Sequence, residues 1–170
     1  MPHPRLILCG RSAVPHHLDD PAIVGVLSIG DDDSPPPEGL DLSLPTVTRL
    51  CFVDAMDDDD PGGPTSAHVS SILEFGDWFA GLESAVLVHC TYGVSRSTAA
   101  GLVLLAQWLG PGREGEAVAA LFASQGGHRS RPNPRMVRLG DALLQRSGRL
   151  VAALSTSMRD GGGITCRCNE

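Results

Sequence analysis

Ala85-Val86-Leu87-Val88-His89-Cys90-Thr91-Tyr92-Gly93-Val94-Ser95-Arg96-Ser97-Thr98-Ala99-Ala100 opens as a short apolar run and passes into a segment, residues 97–109, that is apolar almost all round. The first part reads as a buried strand and the last as a buried helix. Between them lies a seven-residue loop that begins with Cys90 and ends with Arg96. A strand, a tight loop and a helix N-terminus together make an anion trap. Backbone N–H groups turn inward, and the helix dipole adds partial positive charge. Gly93 lets the chain turn where a Cβ would clash. Arg96 brings a planar fork able to grip two oxygens of one anion. Cys90 stands at the loop's mouth, where the same field favours a thiolate. A thiolate aimed at a bound oxyanion is a nucleophile aimed at phosphorus. A Cys and an Arg six apart also occur in chains where the cysteine is merely a buried strand end. The strand before, Gly93 within, the Ser97 hydroxyl after and the apolar helix behind favour the chemical reading.

The whole sequence of 170 residues suits one domain with a full core. A net charge of −7 disfavours nucleic acid and anionic membranes as partners through bulk charge. No apolar run reaches membrane-spanning length, and residues 6–9 are too short for the core of a signal peptide. Five cysteines show no disulfide spacing. That usage fits a reducing cytoplasm, where a thiolate enzyme keeps its cysteine reduced.

Residues 5–9, 22–29 and 46–53 read as three further strands, and residues 11–21 as a polar, Pro-broken stretch holding His16 and His17. Those two histidines lack partner spacing for a metal and read as solvated. The loop 31–37 carries three Asp and three Pro and reads as turns. Asp54 ends the third strand and precedes Asp57, Asp58, Asp59 and Asp60. A calcium loop fails there, because the alternation is wrong and no Glu follows at the required distance. Asp58 to Asp60 read as solvated charges. Asp54 is expected at the end of a strand lying beside the Cys90 strand, on the sheet edge where open α/β folds bind ligands. Thr65 or Ser66 caps a helix to about Ala80, ended by Gly81, with His68 in its first turn as a structural residue. Helices are expected over 114–124, 134–145 (with Asn133 as N-cap and Pro134 at N1) and 149–157. Residues 126–132 read as a basic loop. The expected organisation is one α/β domain over 1–158, a central, mostly parallel sheet of four to five strands flanked by helices, followed by a Gly-rich tail over 159–170. Cys166 and Cys168 in that tail have no second pair and read as reduced thiols.

His89, Cys90, Gly93, Arg96 and Ser97 resemble the signature loop His-Cys-x5-Arg-Ser/Thr of the protein tyrosine phosphatase superfamily. Strands first, then the loop, then a helical second half resemble its small dual-specificity branch. The likeness covers about residues 6–154 and looks closest to compact bacterial members, through Asp54, His68-Val69 and Pro132-Asn133-Pro134-Arg135. The resemblance implies that Cys90 is the nucleophile and Arg96 the phosphate clamp. Thr91, Tyr92, Gly93, Val94, Ser95 and Arg96 would cradle the phosphate, Ser97 would stabilise the departing thiolate, and His89 would brace the loop. The general acid falls on Asp54, with Asp57 as competitor because the Asp run shifts the alignment. No metal and no cofactor is implied. The partner implied is a phosphorylated protein or peptide, phosphotyrosine first and phosphoserine or phosphothreonine next. Thr91 and Tyr92 stand where phosphoinositide phosphatases of the superfamily often carry lysines. Two rivals are a non-catalytic phosphate-binding module and a cysteine-based arsenate reductase, which would want Cys9 or Cys51 as resolving thiol. Cys51 is the strand cysteine expected to trap a sulfenic acid on Cys90.

Overall fold

In the computed structural model, which describes residues 2–124 and 130–159, the apolar runs become β1 (Arg5–Gly10), β2 (Ile23–Gly30), β3 (Val47–Cys51) and β4 (Ala85–Cys90). They form one sheet in the order β1-β4-β2-β3 with every pair parallel. All four strands therefore release their chains at one edge. The expectation of a mostly parallel sheet of four to five strands is met by four. The centre belongs to β4, whose six residues are all buried. A strand covered on both faces has no reason to alternate polar and apolar residues, which is why Ala85 to Val88 read as an unbroken apolar run.

The helices are α1 (Ser66–Phe79), α2 (Arg96–Leu109), α3 (Glu114–Ala123), α4 (Pro134–Leu143) and α5 (Arg149–Arg159). On one face of the sheet Leu8, Leu27, Ile29, Val86 and Val88 pack with residues of all five helices. Among the described residues, the other face is closed without an α-helix. Val14, from a 3₁₀ turn over Arg11–His17, and Leu40 cover Ile7, Val26, Ala85 and Leu87. The Pro-broken stretch is thus a 3₁₀ turn with Pro15 inside it, a form that tolerates short irregular pieces.

Several expectations change. β3 does not lie beside β4; β2 separates them. Asp54 still reaches the edge where Cys90 sits, because parallel strands share that edge. The third strand ends at Cys51 rather than Val53, with one further bond from Phe52 N to Gly30 O at 2.9 Å. His68 takes the structural role: its Nδ1 accepts the Thr65 N–H at 3.1 Å while Thr65 Oγ1 accepts the His68 N–H, a reciprocal cap on α1. Its ring stacks on Phe52 with centroids 4.7 Å apart. The fourth predicted helix stops at Leu143, because Gln145, Ser147 and Gly148 take positive φ. The expected tail and its Cys166 and Cys168, and residues 125–129 of the basic loop, lie outside the described residues.

That tight turn between α4 and α5 is held by Asp141, which is 5% exposed and accepts the N–H groups of Gly148 at 2.6 Å and Leu150 at 2.8 Å. A buried carboxylate that caps two orphan donors is costly to remove. Asp141→Ala is expected to destabilise the fold by about 2–3 kcal/mol. Urea unfolding should show a lower midpoint with an unchanged slope, and Asp141→Asn, which keeps one acceptor, should lose less.

Candidate active site

β4 ends at Cys90 and α2 begins at Arg96, so the residues between must reverse within a short span. Gly93 makes this possible. Its φ is +74°, and a Cβ there would stand 2.5 Å from the Cys9 carbonyl carbon and 2.6 Å from the Gly10 nitrogen. With the loop pressed onto the end of β1, the Gly93 N–H donates to Cys90 Sγ at 3.3 Å. Ser97 Oγ, from the first turn of α2, lies 3.2 Å from the same sulfur. Cys90 is 3% exposed, so its sulfur meets a backbone amide, a hydroxyl and a helix N-terminus rather than bulk water.

Arg96 is 4% exposed. Its Nη1 donates to Asp31 Oδ1 at 2.7 Å and to the Phe52 carbonyl at 2.6 Å, and its Nη2 donates to Thr91 Oγ1 at 3.0 Å. Nε is buried with no partner among the described residues. A guanidinium has five N–H groups. Three are used for holding it in place, which leaves Nε–H and one Nη2–H for something else. An orphaned buried donor costs about 1–3 kcal/mol, which a bound anion would recover.

Ser95 precedes α2 yet does not cap it. Its Oγ donates instead to Asp54 Oδ1 at 2.8 Å. Asn133 Nδ2 donates to the same oxygen at 2.7 Å and to the Ala55 carbonyl at 3.0 Å. Asn133 is fully buried, and its Oδ1 accepts Met136 N–H at 3.0 Å as the predicted N-cap of α4. The segment before α4 is also bonded to the loop, Arg131 N to Val94 O at 2.9 Å and Asn133 N to Ser95 O at 3.3 Å. The carboxylate of Asp54 is thus tied to the Cys90–Arg96 loop from two sides. Asp57 instead engages Arg135 through its carbonyl, at 2.7 Å, and Asp58 pairs with Arg138 at 2.8 Å.

His89 sits behind the loop, fully buried, with Nε2 2.7 Å from Ser28 Oγ and Nδ1 3.4 Å from the Cys90 carbonyl. Burial, ahead of the nearby Arg49 and Arg11 charges and against the pull of the Cys90 carbonyl, lowers its pKa to about 4. Cys9, on β1, is pushed up to about 12, first by burial and then by Cys90. The strand register decides which thiols can meet. Cys9 is level with His89, and Gly10 with Cys90, so Cys9 and Cys90 point to opposite faces of the sheet. Cys51 is level with Gly30 on β3, two strands from β4. Strands two apart stand about 10 Å from each other, beyond the 7 Å Cα limit of a disulfide. The expectation that Cys51 traps an oxidised Cys90 is therefore wrong, and neither strand cysteine is placed to resolve Cys90.

The residues read from the sequence, Cys90, Arg96, Ser97, His89 and Asp54, converge at one sheet edge. Asp31, Ser28, Arg49 and the bond of Asn133 to Asp54 were missed. Asp31 was hidden in a turn-rich Asp–Pro loop. Its only signal was its place just after a strand that ends at the ligand-binding edge.

The depressed His89 pKa has a stability consequence. Below pH 6.5 the unfolded chain takes up a proton that the folded chain refuses until about pH 4. Stability contributed by the neutral ring is complete above pH 6.5 and is lost as pH falls through that window. The loss amounts to about 3 kcal/mol. Urea unfolding from pH 7 to pH 4 should show this fall in the wild type and a shallower one in His89→Gln; equal slopes would contradict a buried neutral ring.

No family model and no curated protein matches the sequence. Solved structures do match. The human tyrosine phosphatase-like serine/threonine/tyrosine-interacting protein is 20% identical with a TM-score of 0.59, over 81% of this chain and 89% of that one. Human DUSP28 is 20% identical with a TM-score of 0.55, over 85% and 96%. PTPMT1 is 18% identical with a TM-score of 0.55, over 91% and 98%. What is shared at such identities is the backbone architecture. This chain has the fold of the dual-specificity phosphatases, a single α/β unit whose parallel sheet presents a cysteine–arginine loop at its C-terminal edge.

Proposed function

We propose that the protein is a cysteine-dependent phosphatase that hydrolyses phosphate monoesters on protein substrates, phosphotyrosine foremost. One observation carries the reading. Cys90 Sγ, the Arg96 guanidinium and the Asp54 carboxylate are each hydrogen-bonded to the 90–96 loop, through Gly93 N, Thr91 Oγ1 and Ser95 Oγ, and each has a separate chemical task.

The phosphoryl oxygens bind the loop amides and the free edge of Arg96, which offset their charge more strongly as it spreads in the transition state. Cys90 thiolate attacks phosphorus in line with the leaving oxygen. The S–P bond forms as the P–O bond breaks, and the leaving phenoxide or alkoxide takes a proton from Asp54. Both donors to Asp54 fall on Oδ1, which leaves Oδ2 to carry that proton. Water then cleaves the S–P bond with Asp54, now ionised, as base. Ser97 Oγ donates to the sulfur as negative charge returns to it. Arg96 and the amides do the charge neutralisation that a divalent cation does in other phosphoryl-transfer sites.

PTPMT1 has been solved in complex with PI(5)P. In this chain Thr91 and Tyr92 occupy the loop without a lysine, Asp31 after β2 pairs with Arg96, and Asp32 and Asp33 follow it in the chain. Such a rim repels a polyanionic inositol headgroup and suits a single phosphate on a peptide. Assay against phosphotyrosine, phosphoserine, phosphothreonine and phosphoinositide substrates, with vanadate as inhibitor, tests the assignment.

Cys90→Ser should remove turnover while leaving vanadate or phosphate binding in place, since the loop amides and Arg96 remain. Residual activity within tenfold of wild type would sink the nucleophile assignment.

Asp54→Asn should slow phosphotyrosine cleavage by about 10²–10⁴-fold and affect an activated aryl phosphate far less, because a good leaving group needs no proton. The alkaline limb of the pH–rate profile should flatten with it. Asp57→Asn should show neither effect. The reverse pattern, read from the pre-steady-state phenol burst, moves the acid to Asp57.

A further inference from the structure

Behind the loop, a polar row crosses three strands of the sheet. His89 on β4 meets Ser28 on β2, and Arg49 on β3 donates from Nη1 to Ser28 Oγ at 2.8 Å. Arg49 Nη2 is anchored in turn by Ser34 O at 2.9 Å and Ser34 Oγ at 3.1 Å. Parallel register sets the row, with Ser28 level with His89 on one side and with Arg49 on the other. Ser28 and His89 are both fully buried, so every proton in the row must be placed.

One placement gives every donor in the row an acceptor. Arg49 can only donate, so Ser28 Oγ accepts from it. Ser28 then has a single hydroxyl proton to give, and the atom 2.7 Å away is His89 Nε2. Nε2 is therefore the bare nitrogen, and Nδ1 carries the ring proton toward the Cys90 carbonyl. The opposite tautomer would leave the Ser28 proton without that acceptor and set a bare Nδ1 against a carbonyl oxygen. The Cys90–Thr91 peptide is planar and trans, so a carbonyl drawn toward His89 turns the Thr91 N–H the other way.

We propose that Arg49 is a positioning residue for the phosphatase chemistry: through Ser28 it holds His89 in the Nδ1–H tautomer, and His89 so held sets the peptide that opens the phosphate loop. The proposal rests on the phosphatase reading for its catalytic consequence but not for its tautomer. The groups facing His89 are Cys9 from β1, Ser28 from β2, Arg49 from β3 and Arg11 from the 3₁₀ turn. Of these, only Arg49 is bonded to the hydroxyl that fixes the ring. Its charge, with that of Arg11, also opposes protonation of the ring, in keeping with a neutral imidazole at neutral pH.

The test is long-range ¹⁵N NMR of the imidazole nitrogens in the full chain between pH 5 and 8, together with steady-state kinetics on an aryl phosphate. Wild type should show His89 with a protonated Nδ1 and a bare Nε2 throughout. Arg49→Met should give a mixed or Nε2–H ring. Its kcat should fall by about tenfold or more with KM little changed, as when a partner that orients a working imidazole is lost. Arg49→Lys keeps a donor and should restore the tautomer and most of kcat. A wild-type ring protonated on Nε2 overturns the proposal outright, even if the variants fail to fold. So does an Arg49→Met protein with unchanged tautomer. If the wild-type protein turned over none of the phosphate esters, the phosphatase reading would fall, while the tautomer would still decide the relay.

Discussion

The close approach of Gly93 to the backbone of β1 is the contact on which the site depends. Any side chain at that position would collide with the Cys9–Gly10 peptide. Because nothing is there, the loop folds flat over the end of its neighbouring strand and turns an amide toward Cys90 Sγ. It also brings Arg96 to the first turn of α2, so that the guanidinium lies beneath the loop instead of in solvent. A single absent Cβ thus couples strand order to the position of a sulfur atom and of a cation.

Burying a guanidinium is expensive unless its donors are paired. Three elements share that task here: Asp31 after β2, the Phe52 carbonyl after β3 and Thr91 after β4. Each is a strand end, and a parallel sheet delivers all of them to one edge. The charge is not fully neutralised. Asp31 is about half exposed, and Nε–H has no partner among the described residues. A site arranged in this way is pre-organised for an anion, since the reorganisation that a flexible arginine would need has been met by folding.

Asp54 shows a different kind of support. It stands on the exposed loop that follows β3 and runs on into Pro61-Gly62-Gly63-Pro64, where a side chain would ordinarily roam. Asn133, from the far end of the chain, holds it by one amide while its oxygen caps α4 and its backbone bonds the signature loop. The helical second half therefore does more than cover the sheet; it fixes the loop and the carboxylate relative to each other.

Local chemistry made much of this legible in the sequence. The run 85–90, the Cys90–Arg96 spacing, Gly93 and the apolar helix behind it each act within a few residues, and propensity and pattern are themselves local properties. The α/β class, the strands, the helices and the residues Cys90, Arg96, Ser97, His89 and Asp54 were accordingly accessible. Strand order was not. Parallel strands are joined by crossovers, and nothing in the 46–53 run says that it pairs with β2 rather than with β4. That one ambiguity led to the wrong neighbour for Cys90 and to a cysteine trap that the register forbids. Asp31, Ser28, Arg49 and the second role of Asn133 stayed hidden for the same reason: each works across 21 to 79 positions of sequence, as in Arg49 to Ser28 and Asn133 to Asp54. The sequence by itself determined the make-up of the loop, with Cys90, Gly93, Arg96 and Ser97 at their places, because their identity and spacing are written in one stretch. Only the tertiary structure decided which groups hold them in place, because a hydrogen bond between strands depends on order and register, and neither is a local property of the chain.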